Sequence, residues 1–172
     1  MYPLNLANGI TLLRILLLPI LLALLLTPLS LGGIATLVLF GILALSDTLD
    51  GFVARALHQT TKFGAVFDPI ADKLLVTIAL IGLLTQGLVS PWAVALILIR
   101  EFLILGFRIL DAGRDGKILA AERLGKVKTV IQLVAIAWII LRWPFGDALL
   151  WIAVLLTWIS GVDYWRRFIQ EK

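Results

Sequence analysis

Residues 10–26 read ITLLRILLLPILLALLL, seventeen positions among which only Thr11 and Arg14 are polar. A run of this kind has no period-two alternation, so it does not describe a strand of an outer-membrane barrel; it approaches the about 20 apolar residues that cross a bilayer as a helix. It runs on into Thr27 and Pro28 with no small-residue cleavage site, which reads as a retained span and not a removed signal peptide. Five further apolar segments follow at 31–45, 70–84, 91–110, 127–141 and 148–161, separated by turn residues or charges. The expectation is therefore an all-α integral membrane protein with six transmembrane helices in a single domain, 1–172. Residues 1–13 mix Asn5, Asn8 and Thr11 with Leu4, Leu6 and Ile10 and predict a short juxtamembrane amphipathic segment before the first span.

Composition agrees. Of the 172 residues 61% are hydrophobic and 15% charged, with mean hydropathy +1.05, whereas soluble domains carry about 25% charged residues. A soluble globular enzyme is excluded. With no cysteine and His58 as the single histidine, a disulfide framework, a thiolate metal site, a cysteine nucleophile and a histidine-based zinc site drop out. The net charge of +4 reads as loops facing anionic lipid and not as a nucleic-acid surface.

Fourteen of the fifteen Lys and Arg residues fall on one side of the six-span scheme, or at helix ends facing it; only Arg142 lies on the other. The positive-inside rule then places both termini and the second-to-third and fourth-to-fifth connections in the cytoplasm. Trp92, Trp143 and Trp151 fall near the outer boundary and Tyr164 and Trp165 near the inner one, as interfacial anchors do. The stretch from Asp111 to Arg123 alternates acids and bases and reads as a solvated cytoplasmic loop.

Four of the eleven acidic residues, Asp47, Asp50, Asp68 and Asp72, bracket the second-to-third connection. Carboxylates at the ends of apolar spans are costly and usually mark ion or substrate sites. At about 100° per residue, Asp47 and Asp50 share a helix face, and Gly64, Asp68 and Asp72 form a stripe if the third helix begins early enough. Converging carboxylates repel unless cations compensate them, and hard divalent cations such as Mg²⁺ or Mn²⁺ suit oxygen-only ligands. Gly51, Ala54 and Gly64 leave room for a substrate near the backbone, and Arg55 can pair with phosphate bidentately. This combination points to phosphoryl transfer. The same intramembrane carboxylates also suit a small divalent-cation transporter, but transporter sites lie at the midplane between repeated halves, whereas these cluster near one face of one half.

Read in order, Asp47-x2-Asp50-Gly51-x2-Ala54-Arg55-x8-Gly64-x3-Asp68-x3-Asp72 resembles the signature of the CDP-alcohol phosphotransferases at every fixed position. Asn8-Gly-Ile-Thr11-Leu-Leu-Arg14, Phe67-Asp68-Pro69-Ile-Ala-Asp72-Lys73, Arg100-Glu101, Arg108 and Gly125-Lys126-Val-Lys128-Thr129 resemble the branch of phosphatidylglycerophosphate synthases. Ala7 departs from the proline many members have before Asn8. Cardiolipin synthases of the same chemistry share several of these blocks and give phosphatidylglycerol as an alternative acceptor. The resemblance implies CDP-diacylglycerol and sn-glycerol 3-phosphate as substrates, a homodimer, and a bacterial inner membrane with the active site facing the cytoplasm. It implies two divalent ions held by Asp47, Asp50, Asp68 and Asp72, with Asp72 the general base on the acceptor hydroxyl. It also implies a cytidine-diphosphate cradle of Thr48, Gly51, Ala54, Arg55 and Gly64. Because the acceptor carries its own phosphate, a second basic site is expected, from Arg14, Arg100, Arg108, Lys126 and Lys128 with Thr129. Each of those cations also reads as an inside-positive anchor snorkelling to headgroups, and Thr129 also as a helix cap.

Overall fold

The computed structural model describes the backbone of residues 6–56, 62–114 and 123–170, and the side chains of 9–28, 32–46, 70–107, 109 and 125–166. The described residues form six helices and no strand: α1 (Leu6–Leu26), α2 (Leu29–Ala56), α3 (Lys62–Thr85), α4 (Pro91–Arg114), α5 (Arg123–Ile140) and α6 (Gly146–Gln170). Each expected apolar segment falls on one helix, to within a residue. Among the described residues two stretches, Gly9–Leu26 and Gly146–Arg166, are long and apolar enough to cross a membrane, and Gly32–Ser46 is a shorter apolar one.

The helices outrun the apolar segments that announced them. α2 continues past residue 45 to Ala56 and α3 starts at Lys62, well before residue 70. Hydropathy ends at the first aspartate, but the i→i−4 ladder does not, since Asp lowers helix propensity by only a few tenths of a kcal/mol, about 0.7 at most. Residues 6–13 are likewise the opening turns of α1 and not a separate juxtamembrane element. The expected loop from Asp111 is helical to Arg114 and again from Arg123, and residues 115–122 lie outside the described residues.

The chain forms two compact units, one built on α1–α3 and the other on α4–α6. In the first, Thr11, Arg14, Leu18, Leu21 and Leu25 are all buried, and their 3–4–3–4 spacing is that of a helix seam facing its neighbours. α1 packs through this seam on α2, where Thr36, Phe40 and Leu43 are buried, and on α3, where Leu75, Ala79 and Leu83 are. At the far end Gly82 permits the close approach: a Cβ there would stand 2.6 Å from the Leu25 Cβ. Beyond it Thr27 Oγ1 donates to the Leu24 carbonyl at 2.6 Å. The Gln86 amide donates to the Leu25 carbonyl and, at 2.7 Å, to that of Thr27, satisfying acceptors that the end of α1 leaves open.

In the second unit α4 packs on α6. Ala93, Val94, Ile97 and Ile104 of α4, Ala135, Ile136 and Ile139 of α5, and Leu150, Ala153 and Val154 of α6 are its buried apolar side chains. Phe107 meets Trp165 edge to face, centroids 5.0 Å apart. The turn from α5 to α6 is braced by aromatics: Trp138 and Trp143 stack edge to face at 4.6 Å, and Trp138 Nε1 donates to the Pro144 carbonyl at 2.8 Å. Outside both cores, large apolar side chains such as Leu16, Ile34 and Leu155 are exposed, as residues solvated by hydrocarbon are.

Candidate active site

The signature lies on the consecutive ends of two helices of the first unit. Asp47, Thr48, Asp50, Gly51, Ala54 and Arg55 occupy the last turns of α2, and Gly64, Asp68 and Asp72 the first turns of α3. The early start of α3 meets the condition for a stripe, because positions 64, 68 and 72 are one turn apart on an unbroken helix. Asp47 and Asp50, three apart on α2, also share a face. The side chains of Asp47, Thr48, Asp50, Gly51, Ala54, Arg55, Gly64 and Asp68 lie outside the described residues, as does His58. Among the described residues no three acidic or histidine side chains gather at one point.

Asp72 is placed in full. It follows the fully buried Ala71 and is itself 22% exposed, with its Oδ2 2.8 Å from the Lys73 ammonium. A half-buried carboxylate with a cation at one oxygen suits both proton acceptance and ligation, since an ionised carboxylate has about four lone-pair sites.

Arg14 departs from the reading as a lipid-facing anchor. It is 2% exposed, on the inward seam of α1, and its Nε donates to Ser46 Oγ at 3.1 Å. Ser46 Oγ in turn donates to the Leu43 carbonyl at 2.8 Å. Since Ser46 immediately precedes Asp47, the guanidinium is tied to the residue just before the signature begins.

The second unit holds a buried polar cluster of its own. Glu101 and Lys128 are each 3% exposed, and the Lys128 ammonium donates to Glu101 Oε1. The same oxygen stands 3.4 Å from Nη1 of the buried Arg100, whose Nη2 donates to Ser160 Oγ at 2.8 Å. Gly161 lies against the stem of Arg100, where a Cβ would come within 3.0 Å of Nε and 3.3 Å of Cγ. Removing one member of such a buried ionic set costs about 3–5 kcal/mol, because the remaining charge is left uncompensated.

Of the expected acceptor residues, Arg100 and Lys128 are thus brought together through Glu101. Lys126 is exposed on α5, and Thr129 Oγ1 donates to the Gly125 carbonyl one turn back at 3.0 Å. The side chain of Arg108 lies outside the described residues. Sequence reasoning passed over the bridging role of Glu101 and over Ser46, Ser160, Gln132 and Thr157. Gln132 and Thr157 are fully buried, and the Gln132 amide nitrogen and Thr157 hydroxyl make no hydrogen bond among the described residues. The available signal was periodic: Lys128 and Gln132 are four apart, and Thr157 and Ser160 three apart, inside apolar stretches.

A chain whose described elements are all helices and that carries this signature across the α2 and α3 ends belongs to a known class. The pattern of the CDP-alcohol phosphatidyltransferase family matches residues 4–159, and the chain is a member of that family. Within it, the chain is 39% identical over 183 aligned residues to the CDP-diacylglycerol--glycerol-3-phosphate 3-phosphatidyltransferase of Bacillus subtilis (strain 168), covering 95% of this chain and 94% of that one. Proteins of the same name from Escherichia coli (strain K12) and Salmonella choleraesuis (strain SC-B67) are 36% identical over 170 residues, covering 93% of this chain and 92% of theirs.

Proposed function

We propose that this chain transfers the phosphatidyl group of CDP-diacylglycerol to sn-glycerol 3-phosphate, giving phosphatidylglycerophosphate and CMP. The observation that carries the reading is the register of the signature, whose four aspartates fall at spacings of three and four on the consecutive ends of α2 and α3. The names of the similar bacterial proteins support the choice of acceptor.

The donor set fits a metal: Asp47, Asp50, Asp68 and Asp72 are all-oxygen ligands on two helices of one unit, and they would hold two divalent cations, Mg²⁺ or Mn²⁺. When bound, such ions supply charge neutralisation of the diphosphate and polarisation of the attacked phosphorus. The chain's own groups do the rest. Asp72 accepts the proton of the acceptor hydroxyl as its oxygen attacks the β-phosphorus; the bond from that phosphorus to the bridging oxygen breaks, and the electron pair leaves with CMP. Thr48, Gly51, Ala54, Arg55 and Gly64 cradle the cytidine diphosphate, with Arg55 as the bidentate phosphate partner. The acceptor's phosphate falls to Arg100 and Lys128, with Arg14, Arg108, Lys126 and Thr129 the further candidates.

The protein sits in a bacterial inner membrane as a homodimer, each chain a single domain of six spans with cytoplasmic termini. The inside-positive distribution supports this orientation, and the native absence of cysteine makes it directly measurable. Single cysteines placed at residues 59 and 118 should react with a membrane-impermeant thiol reagent only from the cytoplasmic side, and those at 88 and 143 only from outside.

The deciding experiment uses the purified full chain in detergent with CDP-diacylglycerol and Mg²⁺, following CMP release with glycerol 3-phosphate, inositol phosphate, serine and phosphatidylglycerol offered separately. Turnover with glycerol 3-phosphate alone is expected. Turnover only with phosphatidylglycerol would make the chain a cardiolipin synthase, and metal uptake into liposomes without any turnover would make it a transporter.

A further inference from the structure

Arg100 and Lys128 lie 28 positions apart on different helices, and arginine and lysine are among the side chains with most rotamer freedom to lose. A phosphate that had to order both on arrival would bind weakly, because affinity is what survives after the cost of ordering the site. In this chain the two are ordered by the fold itself. Glu101 Oε1 takes a hydrogen bond from Lys128 and faces Nη1 of Arg100, so one carboxylate oxygen sets the directions of both cations. Ser160 Oγ fixes the other guanidinium arm at 2.8 Å. Gly161 completes the arrangement from the α6 side, since any Cβ at that position meets Arg100 Nε at 3.0 Å and Cγ at 3.3 Å, so that the side chain has to give by a few tenths of an ångström.

Resting on the reading that Arg100 and Lys128 receive the acceptor's phosphate, we propose that Glu101 and Gly161 are positioning residues for the phosphate-bearing acceptor: they hold the two cations in place before it arrives. Neither residue needs to touch substrate. Their contribution is confined to one substrate, because the CDP-lipid is held by the α2 and α3 residues.

The test measures kcat and the separate KM values for glycerol 3-phosphate and CDP-diacylglycerol in the full-length protein, together with its unfolding temperature. Glu101→Gln keeps the shape and removes the charge; Gly161→Ala displaces the Arg100 stem. Each is expected to raise KM for glycerol 3-phosphate about tenfold, less than the about 10²-fold that a 1 Å misplacement can cost, with KM for CDP-diacylglycerol within about twofold. Glu101→Asp, which keeps the charge, should recover part of the loss. A merely structural role would lower the unfolding temperature and the active fraction while leaving both KM values unchanged, and that result overturns the proposal, as do equal rises in both KM values. Arg100→Ala and Lys128→Ala separate the two layers of the argument. If they leave KM for glycerol 3-phosphate unchanged, the phosphate assignment fails and the positioning with it. If they raise it while Glu101→Gln and Gly161→Ala do not, positioning alone is overturned. Should Gly161→Ala fail to fold, Ser160→Ala, which removes the hydroxyl that orients Nη2, takes its place with the same expectation.

Discussion

Asp72 and Glu101, one in each unit, stand in opposite surroundings. Asp72 of α3, the signature aspartate whose side chain is described, remains partly open with Lys73 as its neighbour. Glu101 of α4 is nearly sealed from solvent, with the buried Arg100 and Lys128 held to each other through its carboxylate. An open carboxylate can exchange protons and ligands; a sealed ionic set holds its geometry at the expense of mobility. Under the proposed function the contrast is a division of labour, with the chemistry and the CDP-lipid left to residues of the first unit and the acceptor's phosphate to residues of the second.

That division breaks first if metal removal or an Asp72 variant fails to act on turnover. Chelation of divalent ions should abolish CMP release, with Mg²⁺ or Mn²⁺ restoring it, and this is the largest effect expected. Asp72→Asn should lower kcat by about 10²–10⁴-fold, with helical content by circular dichroism unchanged and KM for glycerol 3-phosphate little altered. A selective rise in that KM would move Asp72 from chemistry to recognition. In the second unit, Lys128→Met leaves Glu101 with less compensation and should destabilise the protein by about 3–5 kcal/mol, read as a lower midpoint of thermal unfolding in detergent.

Smaller effects sharpen the contrast between packing and function. Gly82→Ala forces a methyl into the Leu25 side chain, an overpacking that costs about 1–3 kcal/mol, yet the folded fraction should keep both KM values. Trp138→Phe deletes the hydrogen bond to the Pro144 carbonyl and should cost about 0.5–1.5 kcal/mol, measured by the same melting curves.

What was legible in the sequence follows the range of the interaction that decides it. Six helices could be read because apolar runs and turn residues are local, and the aspartate signature could be read because its spacing is a property of one short stretch. The extension of α2 and α3 through that signature was not, because hydropathy marks where hydrocarbon ends and not where backbone hydrogen bonding does. The buried Arg14 bonds Ser46, 32 positions away, and the bridging role of Glu101 depends on Lys128, 27 positions away. Single-chain periodicity carries no information about such pairs. Glu101 therefore reads in the sequence as the partner of the adjacent Arg100, which it is at 3.4 Å, while in the fold the same oxygen also binds Lys128 of α5.

The Gln86 side chain, which bonds the open carbonyls at the end of α1, gives this molecule a clock. Its partner Leu25 lies 61 positions earlier, so at the about 5–20 residues per second of synthesis the two are made roughly 3–12 s apart. Throughout that interval the Leu25 and Thr27 carbonyls lack the donor that the folded chain gives them. The end of α1 is thereby completed only once the third helix has been made, and Gln86 then latches the one onto the other.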